Sequence, residues 1–174
     1  MKGIFSVAGL FWAGLALASA ADKVTNFDED RLQIALPDGW KKSEQPMQGA
    51  AGGWESSDRK TSFYVMGQVT NQSADMRDAL KGVIDSMDAS DQWALQKIGD
   101  FRNITLNGLP AVYVKVDLEL MSGSRAVPFV FHFAMVGSRA SFFLLQSSTM
   151  KPIWQVREDE VIRMMKSFKV LKEE

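Results

Sequence analysis

Hydrophobic and polar residues alternate with a period of two along several stretches of this chain, and the alternation predicts β-strands. The first strand places three apolar side chains on one face: Leu32, Ile34 and Leu36. Residues 61–69 alternate in the same way, and from Gln92 onward further strands follow one another with turn signals between them. The strongest signal is Asn107-Gly108, because both turn positions favour a positive φ. We therefore predict an antiparallel meander after residue 92.

A period of three to four residues replaces the alternation in two segments, and each predicts an amphipathic helix. The first segment is 73–91, with Ser73 as the N-cap and Asp75 near the positive end of the helix dipole. Its apolar stripe is Met76, Leu80, Val83, Ile84 and Met87. The second segment runs from about Trp154 to Phe168, with the stripe Trp154, Val161, Ile162, Met165 and Phe168. Each helix has one apolar side, so we expect both to lie on the sheet.

The order of strands, helix, hairpin-linked strands and helix predicts an α+β fold with a mainly antiparallel sheet. We predict one domain over residues 31–174, preceded by a polar lead-in at 21–30. Residues 41–53, KKSEQPMQGAAGG, show neither period, and we interpret them as a mobile loop rich in Gly and Ala. The periodicities together predict an interior that is used only for packing.

The first twenty residues have the pattern of a secretory signal peptide: a basic start, an apolar run and the small residues Ala18-Ser19-Ala20. The alternative is a membrane anchor, but the run is short for a hydrocarbon core of about 30 Å. We therefore expect cleavage before Ala21, a periplasmic or secreted protein, and no stable membrane insertion after cleavage.

Charge and cysteine content narrow the function classes. Twenty basic residues oppose 21 acidic ones, and removal of Lys2 with the leader shifts the formal net charge from −1 to about −2. Without a basic stripe, nucleic acid is not an expected partner. The chain has no cysteine, which removes disulfides, thiol nucleophiles and thiolate metal ligands. No cofactor or metal site is predicted.

The two ends of the domain resemble the PsbP-like family, which includes DcrB-like envelope proteins. The residues that carry the resemblance are Pro37, Gly39 and Trp40 in LPDGW, and Ser167, Phe168 and Lys169 in MKSFKVL. The resemblance spans about Phe27 to Leu171. It implies an α/β/α sandwich around an antiparallel sheet, and proteins that mostly dock onto other proteins. A sandwich covers both sheet faces, whereas the segment 112–120 has one polar face, so we expect that face to be thinly covered or partly wet.

Seven residues are candidate binding residues: Trp40, Met47, Trp54, Tyr113, Lys115, Asp117 and Glu119. The two tryptophans flank the Gly-rich loop, where they form either an aromatic docking platform or plugs of the core; the core alternative is favoured for Trp40. Met47 belongs to the same loop. The other four residues form the polar face of the segment 112–120.

His132 is the single histidine and the main candidate for chemistry. A general base needs a nucleophile and an orienting group, and Ser141 or Ser147 on the neighbouring strand could supply the nucleophile. We favour a hydrogen-bonded, semi-buried histidine without catalytic function. The ten methionines are interpreted as core filling and not as a thioether metal site.

These patterns predict an exported, non-catalytic protein that binds or supports another component of the cell envelope, most plainly a protein partner. The alternative is a periplasmic carrier of a small apolar ligand or lipid, held between the sheet and a helix. A hydrolase that depends on His132 is the third and least favoured hypothesis.

Overall fold

Strands make up most of the molecule, and two α-helices interrupt them in the described ranges. The structure is a computed structural model that describes residues 22–69, 75–138 and 141–172. The strands are β1 Lys23–Phe27, β2 Leu32–Leu36, β3 Lys41–Lys42, β4 Ala50–Glu55, β5 Thr61–Val69, β6 Trp93–Ile98, β7 Arg102–Leu106, β8 Leu109–Ser122, β9 Arg125–Gly137, β10 Phe142–Met150 and β11 Lys169–Val170. The helices are α1 Met76–Asp88 and α2 Trp154–Ser167, and a 3-10 turn, Lys151–Ile153, leads into α2.

The main sheet has eight antiparallel strands in the order β3-β4-β5-β10-β9-β8-β6, and β7 also pairs with β8. The predicted meander is confirmed, including its hairpin at Asn107-Gly108, where φ is 48° and 83°. The stretch before this hairpin divides into β6 and β7, which pair with opposite ends of β8. The division falls at Gly99, whose N–H donates to the Lys115 carbonyl at 2.8 Å.

A second sheet of three strands, in the order β1-β2-β11, lies beside α2. Strand β2 was predicted, and the alternation correctly places Leu32, Ile34 and Leu36 in the core. Strand β1 was not predicted, because the polar lead-in shows no alternation. It pairs with β2 along its whole length, and Phe27 reaches the main core, where its ring lies 4.9 Å from that of Trp54.

The two faces of the main sheet carry separate apolar cores, and we call them the α1 face and the α2 face. The α1 face is built from alternate residues of β8 and β9, among them Val114, Val116, Phe131 and Phe133. Both predicted helices are confirmed, and Leu80 and Ile84 of α1 are completely buried on the α1 face. On the α2 face, α2 and the small sheet together cover Phe63, Val65 and Leu145. The predicted α+β sandwich is therefore correct.

The Gly-rich segment is not a loop throughout, because Ala50–Glu55 forms β4 inside the main sheet. Gly52 serves close packing there: a Cβ on it would lie 2.6 Å from Cη2 of Trp54. The predicted N-cap Ser73 and the predicted signal peptide lie outside the described residues. Asp75 is the N-cap of α1, and its carboxylate accepts a hydrogen bond from the Arg77 amide at 2.7 Å.

Candidate functional site

An open groove of about 880 Å³ lies on the α1 face, between α1 and the half of the main sheet formed by β5 and β10. The groove exists because α1 contacts β6, β8 and β9 and is displaced toward that edge of the sheet. Its floor is the sheet, one wall is α1, and the loop between β3 and β4 forms the opposite wall. The loop is held against β5 by the Gly67 amide, which donates to the Gly49 carbonyl at 3.2 Å.

Apolar side chains provide most of the groove surface, and methionine is the commonest of them. The apolar lining residues are Met47, Met66, Ala79, Val83, Met87, Trp93, Met135, Phe142 and Leu144. Methionine side chains are unbranched and polarisable, so they adapt to ligands of different shape. Gly82 lies on the groove side of α1, and no atom lies within 4 Å of the position that a Cβ would take there. The groove is therefore both apolar and adaptable.

Few polar side chains line the groove, and among the described residues none of the lining side chains is charged. The hydroxyls of Ser86 and Ser90 donate to carbonyls of their own helix end, at 2.7 Å and 2.6 Å. Gln146 differs from these two serines. It is 6% exposed, and the structure gives its amide no hydrogen-bond partner among the described residues. Its amide atoms keep contact with solvent in the groove, so the groove offers one unpaired amide to an occupant.

A row of polar side chains occupies the α2 face, at the end covered by the 3-10 turn and the first turns of α2. His132 is 1% exposed, and a hydrogen bond of 2.7 Å joins its Nδ1 to the Tyr113 hydroxyl. Ser147 lies directly opposite His132 on β10 and is completely buried. The predicted hydrogen bond of His132 is confirmed, but the side chain is buried and not semi-buried as predicted. The prediction that the interior serves only for packing is wrong here, because a polar row runs through it.

Burial determines the protonation states in this row. Desolvation lowers the pKa of His132 to about 4, and the positive charge of Lys115 lowers it further in the same direction. Desolvation, together with the negative charge of Glu158, raises the pKa of Tyr113 to about 12. Both groups are therefore neutral near pH 7, which is the state in which buried polar side chains cost least.

Ion pairs with α2 cover the polar face of β8. Lys115 Nζ lies 3.3 Å from a Glu158 carboxylate oxygen and 4.3 Å from the centre of the Trp154 ring. Lys151 Nζ lies 2.9 Å from a carboxylate oxygen of Asp117. A small cavity of about 250 Å³ remains between these pairs. The polar face is therefore only partly covered, as expected: the Lys115 side chain is 39% exposed, and the ion-pair partners of this face come from α2 and the 3-10 turn before it.

The structure distributes the seven predicted binding residues over three places. Trp40 and Trp54 lie in the core at 8% and 3% exposure, where they cannot form an exposed platform. The core alternative describes Trp40 well, since its Nε1 also donates to Glu160 of α2 at 3.2 Å. Met47 is 40% exposed and lines the groove. The remaining four lie on the polar face of β8: Tyr113, Lys115, Asp117 and Glu119. Glu119 accepts a hydrogen bond from Gln96 of β6.

The residues proposed for a hydrolase are not arranged for nucleophilic attack. Ser147 is the cross-strand neighbour of His132, but its hydroxyl makes no hydrogen bond. Ser141 lies at the other end of β10, where its amide donates to the Ser138 hydroxyl at 3.2 Å. Within the described ranges, no group of three or more acidic or histidine side chains could hold a metal ion. Neither helix in those ranges is long and apolar enough to cross a bilayer.

Sequence reasoning missed most of the groove. Met76, Val83 and Met87 were assigned to the stripe of α1, and the stripe is real, but Val83 and Met87 also form a groove wall. Gln146 gave no signal at all, because a polar residue in a half-polar strand is unremarkable. The one usable signal was Gly82 beside the apolar stripe of α1. It has no side chain, so it leaves space on that side of the helix.

The sequence matches no protein-family profile and no curated protein sequence. Solved structures are similar in fold. A cyanobacterial PsbP from Synechocystis has 16% identity and a TM-score of 0.54, and the match covers 97% of this chain and 99% of that one. A Ran-binding protein of Saccharomyces cerevisiae has 10% identity and a TM-score of 0.57, with 87% and 96% covered.

A third similar structure is LpqN of Mycobacterium tuberculosis, which is involved in cell envelope biogenesis. Its identity is 13% and its TM-score 0.55, and the match covers 85% of this chain and 84% of that one. At these identities the likeness concerns the fold. The antiparallel sheet between two helices, shared with a PsbP over nearly the whole chain, shows that this protein has the PsbP-like fold.

Proposed function

We propose that this protein is an exported, non-catalytic accessory protein that binds another component of the cell envelope, and that the groove beside α1 is its binding site. The observation that carries the proposal is the groove itself, an open space of about 880 Å³ whose described lining is mostly apolar and has no charged side chain. Concave, mostly apolar pockets with a few polar groups commonly mark binding sites. Its volume lies within the range of roughly 300–1,000 Å³ found for ligand sites.

The rest of the molecule supports binding more than catalysis. The imidazole of His132 is buried, neutral and bonded to a phenol, which suits a structural group. The signal peptide predicted for residues 1–20 supports export to a periplasmic or secreted location. The fold is shared with a Ran-binding protein and with a protein of cell envelope biogenesis, which supports an accessory function through association.

Site-specific photo-crosslinking in intact cells tests the proposal. A photoreactive amino acid at Met47 reports on the groove, and one at Val156, which is 79% exposed on α2, is the matched control. We expect an adduct, with protein or lipid, from position 47 and not from position 156. Equal adducts from both positions would contradict the proposal.

A pair of substitutions at Gly82 makes the test specific for the groove. Gly82→Phe adds an aromatic ring on the groove side of α1, at a position where a Cβ meets no atom within 4 Å, so the ring should occupy part of the groove. Gly82→Ala makes a similar gain in helix propensity and leaves the groove open. We expect the adduct at Met47 to disappear with Gly82→Phe and to persist with Gly82→Ala. Loss in both variants, or in neither, would show that the groove is not the site.

A further inference from the structure

We infer that the occupant of the groove is a single-chain lipid whose polar group is uncharged, of the chemical class of a monoacylglycerol. The inference rests on the proposed function, since it names the ligand of that same site. It follows from four properties of the groove: a floor of strands that are paired on both sides, a lining without described charge, a limited volume, and the Gln146 amide, which has no hydrogen-bond partner among the described residues.

The floor of the groove excludes an extended peptide that adds a strand. Strand β5 pairs with β4 and β10, and β10 pairs with β5 and β9, so both strands have neighbours on each side and neither is a sheet edge, although the β5–β10 pairing shifts register between Phe142 and Leu144. A peptide strand on this surface would leave its own N–H and C=O groups without partners, which is costly away from water. A hydrocarbon chain has no such groups, and a helix satisfies its own.

The size of the groove favours the hydrocarbon chain over the helix. A helix with its side chains is about 10–12 Å across, so a groove of about 880 Å³ has room for only about two of its turns. A hydrocarbon chain needs much less volume for the same length. Met47, Met66, Met87 and Met135 come from four different segments of the chain, and their thioethers can close around such a chain.

Gln146 determines the polar part of the ligand. Its amide has no protein partner among the described residues and meets solvent inside the groove, so an occupant that displaces this solvent has to replace its hydrogen bonds. The amide both donates and accepts, which suits a hydroxyl or an ester carbonyl. Because no described lining residue is charged, a carboxylate or phosphate placed beside Gln146 would have no counter-charge. The ligand therefore carries an uncharged polar group.

Calorimetry with the mature chain tests this inference, using monopalmitoylglycerol and palmitate as probes below their aggregation concentrations. We expect monopalmitoylglycerol to bind, and palmitate at pH 8 to bind at least about tenfold more weakly, because its carboxylate is charged. Gln146→Leu keeps the volume and removes the hydrogen bond, and should weaken monopalmitoylglycerol binding by about tenfold. Equal affinities for the two probes, or an unchanged affinity in Gln146→Leu, would overturn the inference.

The Gly82 variants separate this inference from the proposed function. Binding of monopalmitoylglycerol should be lost in Gly82→Phe and kept in Gly82→Ala. If an apolar helical peptide binds in this Gly82-dependent way and the lipid does not, the inference fails and the groove remains a binding site. If neither probe binds, and the crosslink from Met47 is also insensitive to Gly82→Phe, the proposed function fails as well.

Discussion

The two faces of the main sheet are both apolar along most of their length, but they are covered in different ways. On the α2 face, α2 and the small sheet cover the strands, and even Lys115 and Asp117 receive partners from the covering segment. On the α1 face, α1 covers one half, and no other described segment covers the half formed by β5 and β10. The α2 face is therefore a closed core, whereas the α1 face includes apolar surface that remains in contact with water.

The difference shows that apolar character does not by itself distinguish a core from a binding site. An apolar strand residue on a sheet face can lie either in a closed core or in an open groove. The outcome depends on where the helix axis lies over the sheet. Polar residues show the same ambiguity, because Gln146 lies unpaired in the open groove while His132 is paired in the closed face. What separates the two regions is whether the chain supplies the covering atoms.

Truncating one methionine on each face is expected to give the largest difference. Met164 is completely buried under α2, so Met164→Ala should lower the free energy of unfolding by about 2–5 kcal/mol through a closed cavity. Met66 already borders the groove, so Met66→Ala should cost less than about 1 kcal/mol. Urea unfolding with unchanged m-values measures both changes. Similar costs for the two variants would mean that the groove is closed in solution.

Acid should lower the free energy of unfolding through protonation of His132 on the α2 face. Its pKa is about 4 in the folded protein and 6.5 in the unfolded chain, so the unfolded chain binds more protons between those values. The free energy of unfolding should therefore fall by up to about 3 kcal/mol as the pH drops from 6.5 to 4.

The comparison with His132→Asn isolates this contribution, because the chain has a single histidine and the carboxylates are common to both proteins. The free energy of unfolding of the wild type minus that of His132→Asn should increase as the pH rises from 4 to 6.5, and should stay constant above pH 6.5. Parallel curves over this range would contradict the buried, neutral imidazole.

On the α2 face, the side chain of Asn107 in the β7–β8 turn binds the C-terminal end of α2. Its Nδ2 donates to the carbonyls of Lys166 and Phe168 at 2.6 Å and 2.8 Å. Asn107→Gly keeps the positive φ and removes both bonds, so we expect a loss of about 1–2 kcal/mol in thermal or urea unfolding. Asn107→Asp places a carboxylate against two carbonyls and should cost more than Asn107→Gly. If Asn107→Asp costs less stability than Asn107→Gly, the turn conformation, and not the side-chain hydrogen bonds to the end of α2, determines the effect.

Much of the fold was predictable because alternation and helical periodicity report which side of each segment is apolar. The alternation of 112–120 correctly separated Val114 and Val116 from Tyr113 and Lys115. The same information does not give the position of α1 across the sheet, since its stripe would fit over any pair of strands. The open half above β5 and β10 was therefore not predictable from the sequence.

Composition misled the site analysis at one point for a physical reason. Gly52 and Gly53 suggested a loop, but they are strand residues that make room for rings: a Cβ on Gly53 would lie 2.6 Å from the Tyr64 ring. Glycine needed for close packing and glycine needed for flexibility look alike in a sequence. As a consequence Trp54 was considered for docking, although it packs against Phe27 in the core.

The smallest expected effect is that of the Lys115 charge on the pKa of His132. Lys115 lies on β8 and pairs with Glu158 of α2. Lys115→Met keeps the alkyl stem near Trp154 and removes the positive charge, so the pKa of His132 should rise from about 4. It should stay below 6.5, because desolvation is the larger cause of the depression. NMR titration of the imidazole measures this shift, and Lys151→Met is the matched control, since that charge is paired with Asp117. An unchanged pKa in Lys115→Met, or an equal rise in Lys151→Met, would show that Lys115 does not act on the imidazole and that burial alone sets its protonation.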